Sequence, residues 1–164
     1  MTKLVMPKVD RKLISNKNVV VENLKKIIKS ENVLDHEDQI RPFETDALSA
    51  YKQKPLAVVF PENTKEVSEI LKYCNEKRIK VIPRGAGTGL SGGALPLADG
   101  ILLCLGKFNK IIDIDYKNRC VVAQPGVTNL SITQAVESKN FYYAPDPSSQ
   151  IACSIGGNVA ENSG

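Results

Sequence analysis

The chain has 164 residues, of which 42% are hydrophobic and 24% charged, as expected for a single globular domain that buries a core. Its net charge of +4 is small and scattered, which argues against a nucleic-acid partner. We find no membrane-spanning apolar run, no secretory signal and no Cys-x-x-Cys pair among the four cysteines, so we expect no metal site and a cytoplasmic location with reduced thiols.

The N-terminal part is charged and carries one clear helical pattern. Residues 1–18 are aperiodic and predict a loosely packed leader. Apolar side chains from Val19 to Lys29 recur at helical spacing and predict a helix. The polar stretch that follows contains His36, which we interpret as a solvated side chain. We therefore divide the chain into a leader with one helix, residues 1–40, and a second unit, residues 41–164.

A strand, a helix and a second strand are predicted next. The continuous apolar run Leu56–Phe60 predicts a buried strand. A helix over Lys65–Lys77 is expected to begin at Thr64, or at Asn63 with Glu66 three residues on. A strand over residues 80–83 then leads into a glycine-rich segment, residues 83–93.

Three more strands and one helix follow the glycine-rich segment. Ile101–Leu105 predicts a buried strand. Ile111–Asp115 and Cys120–Ala123 predict the two strands of a hairpin, with its turn at Tyr116–Arg119. A helix capped by Thr128 or Asn129 is predicted to run to about Ser138. The β-α-β beginning and the later hairpin predict an α/β fold with a mixed, α+β-type sheet. Cys74 and Cys104 lie in apolar runs and are expected in the core.

The glycine-rich segment is the strongest candidate for a binding site. Five of its residues are glycine, which lets the backbone take positive φ repeatedly and lets successive N–H groups converge on an anion. We predict that the segment binds a diphosphate, mainly through its backbone, with the hydroxyls of Thr88 and Ser91 assisting. Arg84 either adds a cation or pairs structurally. The candidate residues are Pro83, Arg84, Gly85, Ala86, Gly87, Thr88, Gly89, Leu90, Ser91 and Gly92, with Gly93 completing the glycines.

The segment matches neither of two common phosphate-binding motifs well. The segment lacks the lysine that a nucleotide-hydrolysing P-loop requires. Residues 87–92 match G-x-G-x-x-G, but Pro96 cannot sustain the helix that a Rossmann fold starts there, and Asp113 falls in another predicted strand. A Rossmann NAD-binding domain is therefore the less favoured alternative.

A second segment near the C-terminus, Pro-Asp-Pro-Ser-Ser over residues 145–149 and Ile-Gly-Gly-Asn-Val-Ala-Glu-Asn over residues 155–162, is interpreted as a second loop. Together with Pro-Arg-Gly-Ala-Gly-Thr-Gly-Leu-Ser-Gly-Gly over residues 83–93, it resembles the PCMH-type FAD-binding domain of the vanillyl-alcohol oxidase superfamily. Within that superfamily the chain is most similar to glycolate oxidase FAD-linked subunits and D-lactate or D-2-hydroxyacid dehydrogenases. The resemblance extends from about Arg41 to Gly164.

The resemblance implies FAD as cofactor, and the second segment is expected to contact it through Pro145, Asp146, Ser148, Gly156, Gly157 and Asn158. Attachment is expected to be non-covalent, because the glycine segment has no histidine. The implied reaction is oxidation of glycolate or D-lactate by hydride transfer to flavin N5. A separate electron acceptor or iron–sulfur subunit is an implied partner, and a peripheral position at the inner face of the membrane is a further option.

Members of the resembled family are several hundred residues long. We therefore expect residues 41–164 to be a FAD-binding domain that is truncated at its C-terminal end. The base and the substrate-carboxylate ligands are expected in the region beyond, so no catalytic residue is assigned and the 164 residues alone are expected to be inactive. The alternative is a truncated or split FAD-binding module with no catalytic role.

Overall fold

The computed structural model describes residues 6–163, so the first five residues of the predicted leader and Gly164 lie outside the described residues. The helices are α1 Arg11–Ser15, α2 Lys17–Ile27, α3 Glu37–Ile40, α4 Thr64–Lys77, α5 Asn129–Val136 and α6 Ile155–Glu161. The strands are β1 Val33–Leu34, β2 Ala57–Val59, β3 Lys80–Arg84, β4 Gly100–Cys104, β5 Ile111–Asp115 and β6 Cys120–Ala123. Short 3₁₀ turns occupy Ser30–Asn32, Arg41–Phe43 and Glu137–Lys139.

Four strands form a mixed sheet in the order β1-β2-β4-β3. β2, β4 and β3 run parallel, with Val58 beside Leu102 and Leu102 beside Ile82, while β1 is antiparallel to β2 at the edge. Helix α4 connects β2 to β3, and β4 then inserts between these two strands. β5 and β6 form a separate antiparallel pair. The predicted α/β fold with a mixed sheet is confirmed.

The two faces of the sheet bury different elements. Alternate residues of β2 point to opposite sides, so Ala57 and Val59 join one cluster and Val58 the other. The first cluster packs against α2 and α4, whose Leu24 and Ile70 are fully buried. The second packs against the segment at the end of α3 and the turn that follows it. Helix α2 thus packs on the same sheet as α4. The division of the chain into a leader and a second unit at residue 40 stays a proposal.

Cys74 and Cys104 are core side chains, as predicted. Both are buried, one in each cluster. Burial raises the pKa of each thiol to about 12, because the thiolate is poorly solvated there. These thiols therefore stay protonated and serve packing.

Side-chain caps fix where two of the helices begin. Asn63 Oδ1 accepts a hydrogen bond from the Glu66 backbone N–H at 3.0 Å, so Asn63 is the cap of α4. Glu66 reaches back to the Asn63 side chain at 2.9 Å. Thr128 Oγ1 accepts from the Ser131 N–H at 3.2 Å and starts α5. Each predicted pair of alternatives is thereby resolved.

The N-terminal segment is tied to the sheet by one buried carboxylate. Asp99, which precedes β4, is 1% exposed. Its Oδ2 atom accepts hydrogen bonds from the Asp10 backbone N–H at 2.7 Å and from Lys80 Nζ at 2.6 Å. This contact joins residues far apart in the sequence at the start of the parallel strands. In residues 6–163, no helix has the length and apolar character needed to cross a membrane.

Candidate functional site

A cleft of about 750 Å³ lies between the glycine-rich segment after β3 and the segment that includes α6. The first wall is formed by residues 83–91, 93 and 94. The second is formed by residues 147–149, 153, 154, 156–158, 160, 161 and 163, and Leu105 and Pro125 also line the cleft. Its volume is within the range of cofactor and small-molecule sites. Residues 85–99 contain no helix, so the helix that a Rossmann fold requires after its glycine motif does not form here.

Only part of the predicted glycine geometry is present in the glycine-rich wall. Gly87 and Gly92 have φ of +75° and +78°, in the region that side-chain-bearing residues rarely adopt. Gly85, Gly89 and Gly93 do not, so the positive φ expected to recur in the segment is found at two of its five glycines. At Gly85 and Gly93 the missing side chain matters for another reason: a Cβ at Gly85 would overlap Ser154 Oγ, and one at Gly93 would lie 2.9 Å from Glu161 Oε1.

The opposite wall contains a helix where the sequence predicted a loop. α6 begins after Ser154, whose backbone O accepts from the Asn158 N–H at 2.9 Å, and ends at Asn162 in a left-handed conformation. Gly156 lets the helix approach the turn that follows β6, since a Cβ there would lie 2.6 Å from Pro125 Cβ. Gly-Gly-Asn is a poor helix-forming sequence, so tertiary packing overrides local preference here.

One face of this helix presents polar side chains to the cleft. Ser154, Asn158 and Glu161 are spaced four and three residues apart, which places them on the same side. Ser154 and Asn158 are only 5% and 6% exposed. Within the described residues, Ser154 Oγ and Asn158 Nδ2 have no hydrogen-bond partner. Leaving a buried donor unpaired costs about 1–3 kcal/mol, so these two groups indicate that a polar ligand completes the cleft.

Glu161 connects the two walls of the cleft. Ser91 Oγ lies 2.9 and 2.8 Å from the two carboxylate oxygens of Glu161 and donates its single proton to them. The same hydroxyl accepts a long contact of 3.4 Å from the Gly93 N–H. The far end of the glycine-rich wall is therefore occupied by a carboxylate of the chain itself.

Arg84 has a structural partner behind the glycine-rich wall. Its Nη1 atom donates to the Thr45 carbonyl oxygen at 2.7 Å, and its guanidinium carbon lies 5.8 Å from the centroid of the Phe43 ring. The guanidinium also lies against Gly87, where a Cβ would overlap it. Arg84 thus supports the turn at Gly87, and it is also one of the residues that line the cleft.

The cleft brings together most of the residues that were predicted to bind the cofactor. Those that line it are Pro83, Arg84, Gly85, Ala86, Gly87, Thr88, Gly89, Leu90, Ser91, Ser148, Gly156, Gly157 and Asn158. Gly92, Pro145 and Asp146 do not line it. Gly92 faces Leu48, and the Pro145 carbonyl accepts from the buried Asn129 side chain at 2.9 Å. Their contact with a cofactor stays a prediction, as it does for the others.

Sequence reasoning did not single out Ser154 or Glu161. Both belong to the face of α6 that the spacing of Ser154, Asn158 and Glu161 defines. The four- and three-residue spacing of these side chains could have predicted a polar helix face. The two adjacent glycines, which are poor helix formers, favoured a loop instead.

Comparisons with known proteins agree with this geometry. Residues 55–164 match the FAD binding domain family. The chain is 51% identical to glycolate oxidase subunit GlcD of Escherichia coli (strain K12), over 97% of the chain and 31% of that protein. It is 38% identical to a D-lactate dehydrogenase of Anaerostipes hadrus, over 88% of the chain and 30% of that protein. The chain thus spans under a third of the length of these relatives.

Solved structures show the same fold. p-Cresol methylhydroxylase with substrate bound superposes with a TM-score of 0.78 at 25% identity, covering 98% of this chain and 32% of that one. An alkyldihydroxyacetonephosphate synthase gives a TM-score of 0.75 at 19% identity, covering 96% of this chain and 30% of that one, and supports the fold alone.

Proposed function

Since the chain belongs to the FAD binding domain family, we propose that it is the FAD-binding portion of an oxidoreductase that oxidises a small D-2-hydroxy acid. The observation that carries this proposal is the cleft between the glycine-rich wall and α6, with two buried donors, Ser154 Oγ and Asn158 Nδ2, that lack partners among the described residues. A dinucleotide with a diphosphate and sugar hydroxyls supplies the acceptors that these donors need. The residues present therefore fit FAD.

The protein's part in this function is to bind and orient the cofactor. The backbone N–H groups of residues 85–91 have no backbone acceptor in the described chain, so they are available to phosphate oxygens. The Arg84 guanidinium behind Gly87 adds positive potential to the same wall. When bound, FAD supplies hydride acceptance at flavin N5. We propose non-covalent attachment, since residues 83–94 contain neither histidine nor cysteine and Cys153, which lines the cleft, is buried.

The substrate class is proposed from the relatives. Proteins named glycolate oxidase subunit GlcD, D-lactate dehydrogenase and D-2-hydroxyglutarate dehydrogenase are all similar to this chain. Their named substrates share a hydroxyl group on the carbon next to a carboxylate. The highest identity among these relatives, 51%, is to a glycolate oxidase subunit, which favours glycolate or D-lactate over a dicarboxylic acid.

Catalysis is proposed to need further protein segments. Arg84, Cys153 and Glu161 are the ionisable residues lining the cleft, apart from weakly acidic hydroxyls. Arg84 is engaged with Thr45 and Phe43, Cys153 is buried, and Glu161 is bonded to Ser91. We assign the catalytic base to none of them. The word subunit in the name of GlcD supports a multi-subunit complex, and we propose an electron acceptor or an iron–sulfur subunit as the partner in it. We also propose a cytoplasmic location, peripheral to the inner membrane face in such a complex.

A chimera tests this function directly. These residues replace the matching 31% of Escherichia coli GlcD, and dye reduction by glycolate and D-lactate is measured with FAD in excess. We expect FAD binding by the 164-residue chain without turnover, and turnover by the chimera. The same chimera carrying Gly87→Ala serves as the control and is expected to lose flavin.

The alternatives predict different outcomes. Flavin binding by the chain with an inactive, flavin-loaded chimera would favour a non-catalytic FAD-binding module. Binding of NAD in place of FAD would favour the Rossmann alternative. Turnover by the 164 residues alone would mean that one of the cleft residues acts as the base. Flavin that stays with the denatured protein would contradict non-covalent attachment.

A further inference from the structure

The two ends of the cleft differ in hydrogen-bonding character. At the end near Gly85, Ser154 Oγ and Asn158 Nδ2 are buried donors without partners within residues 6–163. At the end near Gly93, Glu161 presents a carboxylate, which is an acceptor when ionised. The first end thus suits an anion, and the second suits a group that donates hydrogen bonds.

The separation of these ends follows from the helix that carries them. Ser154 and Glu161 are seven residues apart on one face of α6, which corresponds to about 10 Å along the helix axis. Each end faces a different part of the glycine-rich wall. Ser154 Oγ abuts Gly85, whereas Glu161 Oε1 lies 2.9 Å from a Cβ built on Gly93 and 3.6 Å from one built on Gly89.

The Glu161 carboxylate keeps unused acceptor capacity. Its two oxygens share one proton, that of Ser91, although an ionised carboxylate can accept about four hydrogen bonds. Glu161 is an exposed residue at the mouth of the cleft, so a ligand can reach these oxygens. A phosphate placed there would meet a like charge, while a sugar hydroxyl would find an acceptor.

We propose that Glu161 is a specificity-determining residue that keeps phosphate away from the Gly89–Gly93 end of the wall and accepts a sugar hydroxyl there. The diphosphate is thereby confined to the Gly85–Gly87 end, beside Ser154 and Asn158. This inference rests on the proposed function, since it concerns how the same cleft orients FAD. The inference adds the orientation of FAD along the cleft, which the glycine-rich wall by itself does not determine.

Removing the charge at constant size tests the inference. The variant is Glu161→Gln, and the matched control is Glu76→Gln, which makes the same charge change at an exposed position of α4 outside the cleft. The probes are inorganic pyrophosphate, riboflavin and FAD, with Kd measured by calorimetry. We expect Glu161→Gln to tighten pyrophosphate binding about tenfold, because the Gly89–Gly93 end of the wall, where the carboxylate would repel a polyanion at a distance of a few ångströms, becomes available to it.

The neutral probe separates charge from shape. Riboflavin binding is expected to stay the same or weaken in Glu161→Gln, since the amide keeps one acceptor oxygen, and Glu76→Gln is expected to leave each Kd within about twofold. Equal pyrophosphate affinity in the wild type and Glu161→Gln overturns the inference, as does a pyrophosphate gain of the same size in Glu76→Gln. Weaker pyrophosphate binding in Glu161→Gln overturns it as well.

The failure of the proposed function gives a different result. If the wild-type protein binds pyrophosphate but not FAD, the function is wrong while the comparison of Glu161→Gln with Glu76→Gln still decides the role of the carboxylate. If neither variant nor the wild type binds any of the three probes, both proposals are wrong. FAD binding with identical pyrophosphate affinities contradicts only the role of Glu161.

Discussion

The four-stranded sheet and the cleft wall around α6 satisfy their polar groups in opposite ways. At the sheet, Asn63 and Asp99 have internal partners: Asn63 caps α4, and Asp99 accepts from Lys80 and from the Asp10 backbone. In the cleft wall, Ser154 and Asn158 are buried with donors that have no partner among the described residues. The difference indicates that the sheet serves stability and that the cleft wall serves ligand binding, because buried donors in native proteins normally have a hydrogen-bond partner, which a bound ligand can supply here.

The largest effect is expected in the sheet. Leu102 in β4 is fully buried between β2 and β3. Leu102→Ala removes that packing and leaves a cavity, so the free energy of unfolding should fall by about 2–5 kcal/mol. Urea denaturation measures the loss. A change below about 1 kcal/mol would show that the sheet is not the stabilising region, and would contradict the contrast drawn between the sheet and the cleft wall.

A substitution in the glycine-rich wall should affect binding more than stability. Gly87→Ala puts a Cβ where φ is +75° and where it overlaps the Arg84 guanidinium. We expect a loss of about 1–2 kcal/mol in unfolding free energy from the left-handed backbone, and loss of most FAD binding as the turn rearranges. Protein-bound flavin absorbance and urea denaturation measure the two effects.

Gly106→Ala is the matched control for this wall. A Cβ at Gly106 has nothing within 4 Å, and its φ is not positive. Gly106→Ala should therefore retain flavin and near-normal stability. Equal flavin retention by both variants would remove the glycine-rich wall from the binding site.

The elements that could be predicted from sequence are those whose pattern is local. The apolar run that became β2 and the amphipathic spacing of α4 both predicted their elements to within a few residues. β1 is two residues long and too short to produce a pattern. The insertion of β4 between β2 and β3 depends on pairing between distant strands, which short apolar runs do not specify.

The candidate site was predictable in part for the same reason. The glycine-rich wall was found because glycine carries its conformational meaning in the residue itself. The contact between Ser91 and Glu161 joins residues 70 positions apart and leaves no local trace. Ser154 was missed because its burial depends on Gly85, which approaches from the other wall.

Two hydroxyl groups on residues whose backbones pair, Thr128 and Ser154, allow a comparison of a satisfied with an unsatisfied side chain at smaller effect. Thr128 Oγ1 accepts from the Ser131 N–H and caps α5, so Thr128→Ala should lower the unfolding free energy by about 1 kcal/mol. Ser154→Ala removes a buried hydroxyl with no partner in the described part of the chain, so stability should stay the same or rise by up to about 1 kcal/mol.

FAD binding should respond in the opposite order. Ser154→Ala is expected to weaken it by about 10–100-fold, the worth of one hydrogen bond to a charged group, while Thr128→Ala leaves it unchanged. The two variants are compared by urea denaturation and flavin titration on the same preparations. If Ser154→Ala lowers stability as much as Thr128→Ala and leaves the FAD Kd unaltered, the hydroxyl is structural and the cleft wall resembles the sheet.

The smallest effect concerns a charged cluster on the sheet side, where Glu62 is fully satisfied. It accepts hydrogen bonds from Lys29 Nζ at 2.8 Å, Asn32 Nδ2 at 3.0 Å and Lys107 Nζ at 3.1 Å. These bonds lower the pKa of Glu62 from 4.5 to about 2, the Lys29 bond contributing most. Because the folded-state pKa lies below the unfolded value, Glu62 contributes stability above about pH 4.5 that is lost as the pH falls toward 2.

Replacing this carboxylate should flatten one part of the pH profile of stability. Glu62→Gln is expected to lower the urea midpoint slightly at neutral pH and to reduce its dependence on pH between about 4.5 and 2, because the titrating group is gone. Glu76→Gln, at an exposed position of α4, is the control and should leave the profile unchanged. The contribution is small since the cluster is solvent-screened. An acid profile of Glu62→Gln that matches the wild type would mean that these hydrogen bonds do not bias folding, and that satisfied polar groups near the sheet matter less than its apolar core.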